Sequence, residues 1–259
     1  MTTNIHETAI VDAKAQLGEN VSIGAYSVVG ADVSLGDGTI VESHVVLNGH
    51  TELGVNNHIF PFAAIGGAPQ SIAYKGEPTR VVIGDNNIFR ENVTVNRGTM
   101  SDQGITSIGN DNFLMAYAHI AHDCTLESNI VFANSASLAG HCKVGNHVVL
   151  AGYTLVHQFC RVGDHCFTGV NSVCIQDVPP FTLVAGNRAI THGINVRGLR
   201  RRGFSSDDIL ELKRAYKIIY RSGLTMTQAL EKIEEREWQS THIKVLTDFI
   251  RGSKRGVIR

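Results

Sequence analysis

The chain has 259 residues, of which 43% are hydrophobic and 18% are charged, and its formal net charge is −1 at pH 7. This length suits one large domain with an appendage, or two domains, and the small net charge argues against a general nucleic-acid-binding protein. The first residues show no basic segment followed by an apolar one, and no run of about 18 apolar residues occurs, so we predict neither a signal peptide nor a membrane span.

The first part of the chain repeats with a period of six residues. An aliphatic residue occupies every sixth position from Val11 to Ile65. A helix would repeat every 3.6 residues and a half-buried strand every two, whereas six residues suit a short strand followed by a corner. Three such units close a coil of 18 residues, with one aliphatic side chain per unit pointing inward. The period therefore predicts a hexapeptide-repeat parallel β-helix.

The period breaks twice and resumes each time. The first break contains GGAPQSIAYKGEPTR, the second contains NRGTMSDQG, and the period then runs from Ile108 to Val162. We predict that two loops, residues 66–82 and 96–107, are ejected from the prism. Loops on a rigid scaffold often carry function, and both of these precede a histidine-rich segment.

The repeat ends after QDVPPF, residues 176–181, and a helical pattern follows. Ser205 or Ser206 suits the N-cap of a first helix, Gly223 its end, and residues 225–235 the start of another helix. The apolar stripe of the first helix comprises Ile209, Leu212, Ala215, Tyr216 and Ile219.

These patterns predict two domains in a mainly β protein. Residues 1–190 form the β-helix and residues 191–259 form a C-terminal helical domain. The densest basic run, RGLRRRGF at residues 197–204, suits an acidic protein or a nucleotide diphosphate. Five cysteines without an export signal predict reduced thiols in the cytoplasm.

An 18-residue coil turns distant residues into neighbours, because residue n lies beneath residue n+18. His122 then lies one coil from Gly140, and Asp123 one coil from His141. We expect a patch roughly 10–15 Å across on one edge, given the strand spacing. The histidines that converge there are His119, His122, His141 and His157.

Two kinds of chemistry suit this patch. Zinc needs three or four ligands around one point, and gaps of three, nineteen and sixteen residues between these histidines favour acid–base chemistry instead. His122 can act as a general base, Asp123 can orient it, and a Gly140 N–H can hold an oxyanion. No serine or cysteine nucleophile is placed beside the base, so we predict acyl transfer by direct attack of an acceptor hydroxyl.

Six motifs resemble one enzyme family: HIAHDC, LAGH, VHQFC, QDVPPF, RRRGFS and the final RGVIR. Over about Ile10 to Arg259 the chain is similar to the acyl-carrier-protein–UDP-N-acetylglucosamine O-acyltransferases that begin lipid A synthesis. The resemblance implies a left-handed β-helix and a cytoplasmic homotrimer with active sites between prisms. It also implies transfer of a 3-hydroxyacyl chain from acyl carrier protein to the sugar 3-hydroxyl. No metal or cofactor would be bound, because 4′-phosphopantetheine is carried on acyl carrier protein.

The resemblance also implies roles for individual residues. His122 matches the general base, Asp123 its partner and Gly140 the oxyanion donor. The residues that match substrate-binding positions are Gln70, His119, His141, His157, Gln158, Asn195, Arg201 and Arg202. Among these, the two arginines match groups near the nucleotide phosphates, and Asn195 matches a uracil contact. Val170 matches the residue that limits acyl length, and valine suggests a medium chain.

Three positions depart from the family pattern and leave the acceptor open. Ser71 and Ala73 stand where the family usually has aspartate and lysine, and Arg197 stands where it often has glutamate. Lys75 could supply the lost charge. The alternative acceptor is a 3-amino analogue of the sugar nucleotide, which would give an amide.

Other classes fit less well. The N-acyltransferase of the same pathway typically has an extra N-terminal domain, and here the repeats begin by about residue 10. Serine acetyltransferase-like enzymes place helices before the prism. Ice-binding β-helices present flat threonine arrays, which this sequence lacks.

Overall fold

The computed structural model of the chain describes residues 3–259. Residues 1 and 2, the first two of the predicted prism domain, lie outside the described residues. The strands, in chain order, are β1 Asn4–Ile5, β2 Ile10–Val11, β3 Gln16–Leu17, β4 Ser22–Ile23, β5 Val28–Val29, β6 Val33–Leu35, β7 Ile40–Val41, β8 Val46–Leu47, β9 His50–Leu53, β10 His58–Ile59, β11 Ala64–Gly67, β12 Arg80–Ile83, β13 Ile88–Phe89, β14 Thr94–Asn96, β15 Ile105–Ile108, β16 Phe113–Leu114, β17 His119–Ile120, β18 Thr125–Leu126, β19 Val131–Phe132, β20 Ser137–Leu138, β21 Lys143–Val144, β22 Val149–Leu150, β23 Leu155–Val156, β24 Arg161–Val162, β25 Phe167–Thr168, β26 Val173–Cys174, β27 Thr182–Ala185 and β28 Ile190–Ile194. The helices are α1 Val196–Arg201, α2 Ser206–Arg221, α3 Met226–Glu234 and α4 His242–Arg251.

Three parallel sheets form the faces of a prism. Sheet A has the order β1-β4-β7-β10-β13-β16-β19-β22-β25-β27-β28, sheet B has β2-β5-β8-β11-β14-β17-β20-β23-β26, and sheet C has β24-β21-β18-β15-β12-β9-β6-β3. Along the coils, consecutive strands fall on different sheets, so each coil contributes one strand to every face. Phe113 pairs with Val131, and Val131 with Val149, which is the predicted 18-residue interval. The predicted parallel β-helix with C-terminal helices is therefore confirmed.

The period-six aliphatic side chains fill the prism. Ile59, Ile65, Ile120 and Leu138 are among its largest fully buried side chains. Each such side chain contributes about 1.5–3 kcal/mol relative to an exposed one. Since every coil supplies one of them to each face, the core is continuous along the prism.

Smaller polar residues satisfy the backbone where the chain turns between sheets C and A. Asn57 Oδ1 accepts the backbone N–H of Asn87 at 3.0 Å, and Asn87 Oδ1 accepts that of Asn112 at 3.0 Å. Asn112 Oδ1 accepts the N–H of Ile130 at 2.8 Å. This ladder explains how buried asparagines are tolerated, because each amide replaces water for a buried donor.

The two ejected loops lengthen the pairing interval at one corner. Leu53 pairs with Ile83, and Ile83 with Ile108, before the interval returns to 18 residues. Both loops leave between sheet B and sheet C, and strand pairing extends into both predicted loop segments. Arg97 links the loops, since its guanidinium donates to the Gly66 carbonyl at 2.6 Å and to the Tyr74 hydroxyl at 2.8 Å.

The helices follow an antiparallel hairpin of β27 and β28, which was not predicted. The side chain of Ser205 caps α2 by accepting the N–H of Asp208 at 3.0 Å, and α2 ends just before Gly223. Helix α3 lies within the predicted residues 225–235, and Thr225 caps it. The whole predicted stripe of α2 is buried: Ile209, Leu212, Ala215, Tyr216 and Ile219. Helix α1 lies within the basic run and was not predicted.

The end of the chain returns to the prism. Ile258 is buried in the prism core, and its N–H donates to the Asp177 carbonyl at 2.9 Å. The predicted boundary between residues 190 and 191 falls inside β28, which pairs with sheet A. None of the helices within residues 3–259 has the length and apolar character needed to cross a bilayer.

Candidate active site

The turns between sheets B and C bring together most of the predicted catalytic residues. We call this region the His122 corner, formed by residues 121–124, 139–142 and 157–160 of three successive coils. The loop of residues 97–104 leaves at the same corner one coil earlier. The stacking predicted from the 18-residue interval therefore holds here.

Asp123 orients His122. The Nδ1 atom of His122 lies 2.8 Å from Asp123 Oδ2. Asp123 is only 5% exposed, and its carboxylate accepts two further hydrogen bonds from the loop of residues 97–104, where Thr99 donates its backbone N–H at 2.7 Å and its hydroxyl at 2.6 Å. A carboxylate fixed in this way holds a proton on Nδ1 of His122 and leaves Nε2 as the basic nitrogen. Thr99 was missed by the sequence analysis.

Gly140 lies directly against the ring of His122. A Cβ atom on Gly140 would come within 2.6 Å of Cε1 and 2.9 Å of Nε2 of His122. The N–H of Gly140 donates no hydrogen bond within residues 3–259. A free backbone donor therefore lies beside the basic nitrogen, which is the arrangement needed to hold an oxyanion near a general base.

His141 forms the second half of the corner. Its Nδ1 atom lies 3.0 Å from Asp102 Oδ2 and its Nε2 atom 3.7 Å from Asp123 Oδ2. Its ring stacks on Phe159 at 4.4 Å between centroids and meets the ring of His122 edge-on at 5.2 Å. The sequence analysis found His141, but it did not find Asp102 or Phe159.

The same groups could in principle hold a metal ion. One donor atom each of His122, Asp123 and His141 can be chosen so that all lie within 4.8 Å of one another. In this arrangement, however, both oxygens of Asp123 already accept hydrogen bonds from Thr99, and Nδ1 of each histidine faces a carboxylate. This bonding pattern fits acid–base chemistry better than coordination.

The remaining predicted residues of the corner lie along its edge. His119 projects from sheet B, and its Nδ1 atom lies 2.7 Å from Thr94 Oγ1. Burial lowers the pKa of His119, and His122 lowers it further, so His119 stays neutral near pH 7. His157 and Gln158 are exposed, and Arg255 from the chain end approaches Nδ1 of His157 to 3.4 Å. Arg255 was not predicted.

A second cluster lies at a different corner, between sheets C and A. We call it the arginine pocket, a cavity of about 590 Å³. Its polar lining comprises His147, His165, Asn195, Arg197, Arg201 and Arg202. It therefore contains the predicted phosphate and uracil residues, and it also contains two histidines that the sequence analysis missed.

The two histidines of the arginine pocket are neutral near pH 7. Their rings stack at 4.7 Å between centroids. Burial lowers the pKa of His147, with a contribution from Arg202, and burial together with His147 lowers the pKa of His165 to about 4. The pocket thus offers aromatic faces beside guanidinium groups, a combination that suits a base and its phosphates. Asn195 caps α1 by accepting the N–H of Gly198 at 3.1 Å.

The other predicted residues lie apart from both clusters. Gln70 is exposed on the loop of residues 68–79. Val170 lies at the third corner, between sheets A and B, and is 71% exposed, so it does not pack in the prism core. A single chain therefore presents the predicted residues on different corners.

Known proteins resemble this chain in sequence and in fold. Residues 177–258 match the family described as Udp N-acetylglucosamine O-acyltransferase, domain 2, and residues 3–49 match the bacterial transferase hexapeptide family (six repeats). An acyl-(acyl-carrier-protein)–UDP-N-acetylglucosamine O-acyltransferase of Saccharophagus degradans is 50% identical over 257 residues, which cover 99% of this chain and 100% of that protein. A protein of the same name from a Janthinobacterium species is 53% identical over 259 residues, with 98% and 99% coverage.

Solved structures of UDP-N-acetylglucosamine acyltransferases have the same fold as this chain. The structure of LpxA from Acinetobacter baumannii matches with a TM-score of 0.96 at 42% identity, covering 98% of this chain and 99% of that one. A UDP-N-acetylglucosamine acyltransferase from Arabidopsis matches with a TM-score of 0.88 at 33% identity, covering 98% and 100%. The similarity thus includes the prism, the helices and the two ejected loops together.

Proposed function

The chain belongs to the acyl-carrier-protein–UDP-N-acetylglucosamine O-acyltransferase family, and we propose that His122 is the general base of its acyl transfer. The enzyme transfers an acyl group from acyl carrier protein to UDP-N-acetylglucosamine, the first step of lipid A biosynthesis. The observation that carries the proposal is the position of His122 between the buried carboxylate of Asp123 and the free N–H of Gly140.

In the proposed mechanism the acceptor attacks the donor thioester directly. His122 Nε2 takes the proton of the sugar hydroxyl as its oxygen bonds to the thioester carbonyl carbon. The N–H of Gly140 stabilises the resulting oxyanion. Collapse of this intermediate breaks the C–S bond, and the imidazolium of His122 returns the proton to the departing phosphopantetheine thiolate. Asp123 stabilises the imidazolium between these two proton transfers.

The cysteines support direct attack. All five are free and buried. Burial is the main cause that raises the pKa of Cys160, Cys166 and Cys174 to about 12, so these thiols hold their protons near neutral pH and make poor nucleophiles. We therefore propose no acyl-enzyme. We also propose no bound metal, because the carboxylate and the two histidines of the corner are already hydrogen-bonded, and no bound cofactor, with 4′-phosphopantetheine arriving on acyl carrier protein. Free thiols also support a cytoplasmic location.

The finer specificity is also proposed. The donor carries a 3-hydroxyacyl chain, and the acceptor atom is the oxygen of the sugar 3-hydroxyl. Val170 limits the length of the acyl chain to a medium one. Arg201 and Arg202 bind the diphosphate, which matches their positive charge and their shared cavity with two stacked histidines. Exposed Gln70, His157 and Gln158 are free to contact substrate.

A homotrimer would complete the site. The His122 corner lies between sheets B and C, and the arginine pocket lies between sheets C and A. A neighbouring prism can bring its arginine pocket to the His122 corner. Sheet B also exposes an apolar patch that a partner can cover. This patch comprises Ile10, Val28 and Val46 on three successive coils.

Subunit mixing tests the shared site. We expect His122→Ala and Arg202→Ala homo-oligomers to be nearly inactive, and co-expressed mixtures to regain about a quarter of wild-type activity, because random mixing gives that share of intact sites. The mixtures are assayed beside light scattering, which should give three times the chain mass of 28.1 kDa. Mixtures no more active than the homo-oligomers would contradict sites built from two chains.

Acceptor competition tests the function itself. We expect wild-type enzyme, given UDP-N-acetylglucosamine, its 3-amino analogue and several acyl carrier protein thioesters, to form mainly the ester product. Product masses identify both the acceptor and the preferred chain length. A dominant amide product would show that the amino sugar is the preferred acceptor instead. If neither the ester nor the amide formed, the proposed acyl-transfer function would be contradicted.

A further inference from the structure

We propose that Asp102 is a positioning residue for the acyl transfer, because it fixes the ring and the proton of His141. The inference rests on the proposed function of the His122 corner. Asp102 lies on the loop of residues 97–104, and its Oδ2 is 3.0 Å from Nδ1 of His141. This distance is that of a hydrogen bond assisted by the carboxylate charge.

The ring of His141 is held on several sides. Phe159 stacks against its face, and the ring of His122 meets it edge-on. The side chain of His141 is 12% exposed, whereas that of Asp102 is 44% exposed. Asp102 is therefore the more exposed partner of the pair, and it approaches His141 from the loop of residues 97–104.

The tautomer of His141 determines whether its Nε2 competes with His122 for a hydrogen bond to Asp123. Nε2 of His141 lies 3.7 Å from Asp123 Oδ2, the same oxygen that faces Nδ1 of His122 at 2.8 Å. A proton on Nε2 of His141 would turn that nitrogen into a second donor toward this oxygen. By accepting from Nδ1–H, the carboxylate of Asp102 favours the tautomer with an unprotonated Nε2. Asp123 is then left to orient His122.

The loop of residues 97–104 supplies both supports of the site. Thr99 donates twice to Asp123, and the N–H of Asp102 donates to the Thr99 carbonyl at 3.2 Å. A single turn thus connects the group that holds one carboxylate with the carboxylate that holds His141. His122 and His141 thus each have an acidic partner, one from the prism and one from the loop.

The test compares two substitutions on this loop. Asp102→Asn should lower kcat about 10-fold, in line with the loss of one partly exposed charge-assisted hydrogen bond. The KM values for both substrates should change less than kcat does, since Asp102 touches neither substrate and acts through His141 on the base. Gln103→Ala, a neighbouring exposed change, should keep wild-type kcat. Asp102→Glu should restore part of the loss.

A double-mutant cycle separates positioning from a merely structural effect. In a His141→Gln background, Asp102→Asn should cause no further loss of kcat.

Each outcome decides the proposal. Wild-type kcat in Asp102→Asn, or an equal loss with and without His141, would overturn the positioning role. If His122→Ala is inactive in the same assays, acyl transfer stands even when the Asp102 proposal fails. If His122→Ala keeps full activity, the proposed function of the His122 corner is contradicted instead.

Discussion

Replacing His122 by alanine should lower kcat by about 10²–10⁴-fold, the usual contribution of a general base. The variant loses the nitrogen that takes the acceptor proton, whereas Asp123 keeps both of its hydrogen bonds from Thr99. The prism should therefore stay folded, and UDP-N-acetylglucosamine should still bind. Mass-spectrometric product assays give kcat, and circular dichroism gives the melting temperature.

A second histidine–carboxylate pair provides the matched control. His58 Nε2 lies 2.9 Å from Glu42 Oε1 on sheet A, away from the His122 corner. His58→Ala removes a histidine–carboxylate pair from the same prism and should keep kcat within about twofold, because this half-exposed pair lies away from the reacting groups. Equal turnover by His122→Ala and the wild type would rule out His122 as the general base.

Gly140→Ala should cost about 10²–10³-fold in kcat, similar to removal of an oxyanion donor. Alanine keeps the backbone N–H, but its Cβ would meet Cε1 of His122 at 2.6 Å. The ring must move away, which breaks its alignment with Asp123 and crowds the space for the oxyanion. Steady-state kinetics with both substrates measure the loss.

Gly30 is the control for this substitution. It lies at a turn between sheets B and C near the start of the prism, and the nearest group to a Cβ there would be the Asn48 side chain at 3.4 Å. Gly30→Ala should leave both kcat and the melting temperature near wild type. A Gly140→Ala enzyme as active as Gly30→Ala would mean that the close approach of Gly140 to His122 has no catalytic role.

The prism and the centre of the site follow from local periodicity. One aliphatic side chain per six residues sets the coil, and the coil sets which residues are neighbours. For this reason residue spacing alone was enough to bring His122, Asp123, Gly140 and His141 together. The same interval links His147 to His165, so their stacking was also within reach of the sequence.

The support of the site could not be predicted in this way. The loop of residues 97–104 has no period, and its contacts depend on how it folds back over the corner. Neither the two bonds from Thr99 to Asp123 nor the bond from Asp102 to His141 therefore has a signal in residue spacing.

Tertiary context also decided the region after the prism. Helix α1 lies in a basic run whose charges gave no helical stripe, and Asn195, predicted as a uracil contact, caps that helix. The hairpin of β27 and β28 extends sheet A beyond the last hexapeptide, where the repeat no longer guides prediction. The period likewise does not set the hand of the coil.

An experimental structure with the acylated sugar nucleotide bound tests the central claim most directly. We expect the newly acylated oxygen to lie about 2.6–3.2 Å from Nε2 of His122, the range required of a general base, with the acyl carbonyl oxygen facing the Gly140 N–H. If the acylated oxygen instead lay nearest to another group, such as His119 or His157, the role given to His122 would be contradicted.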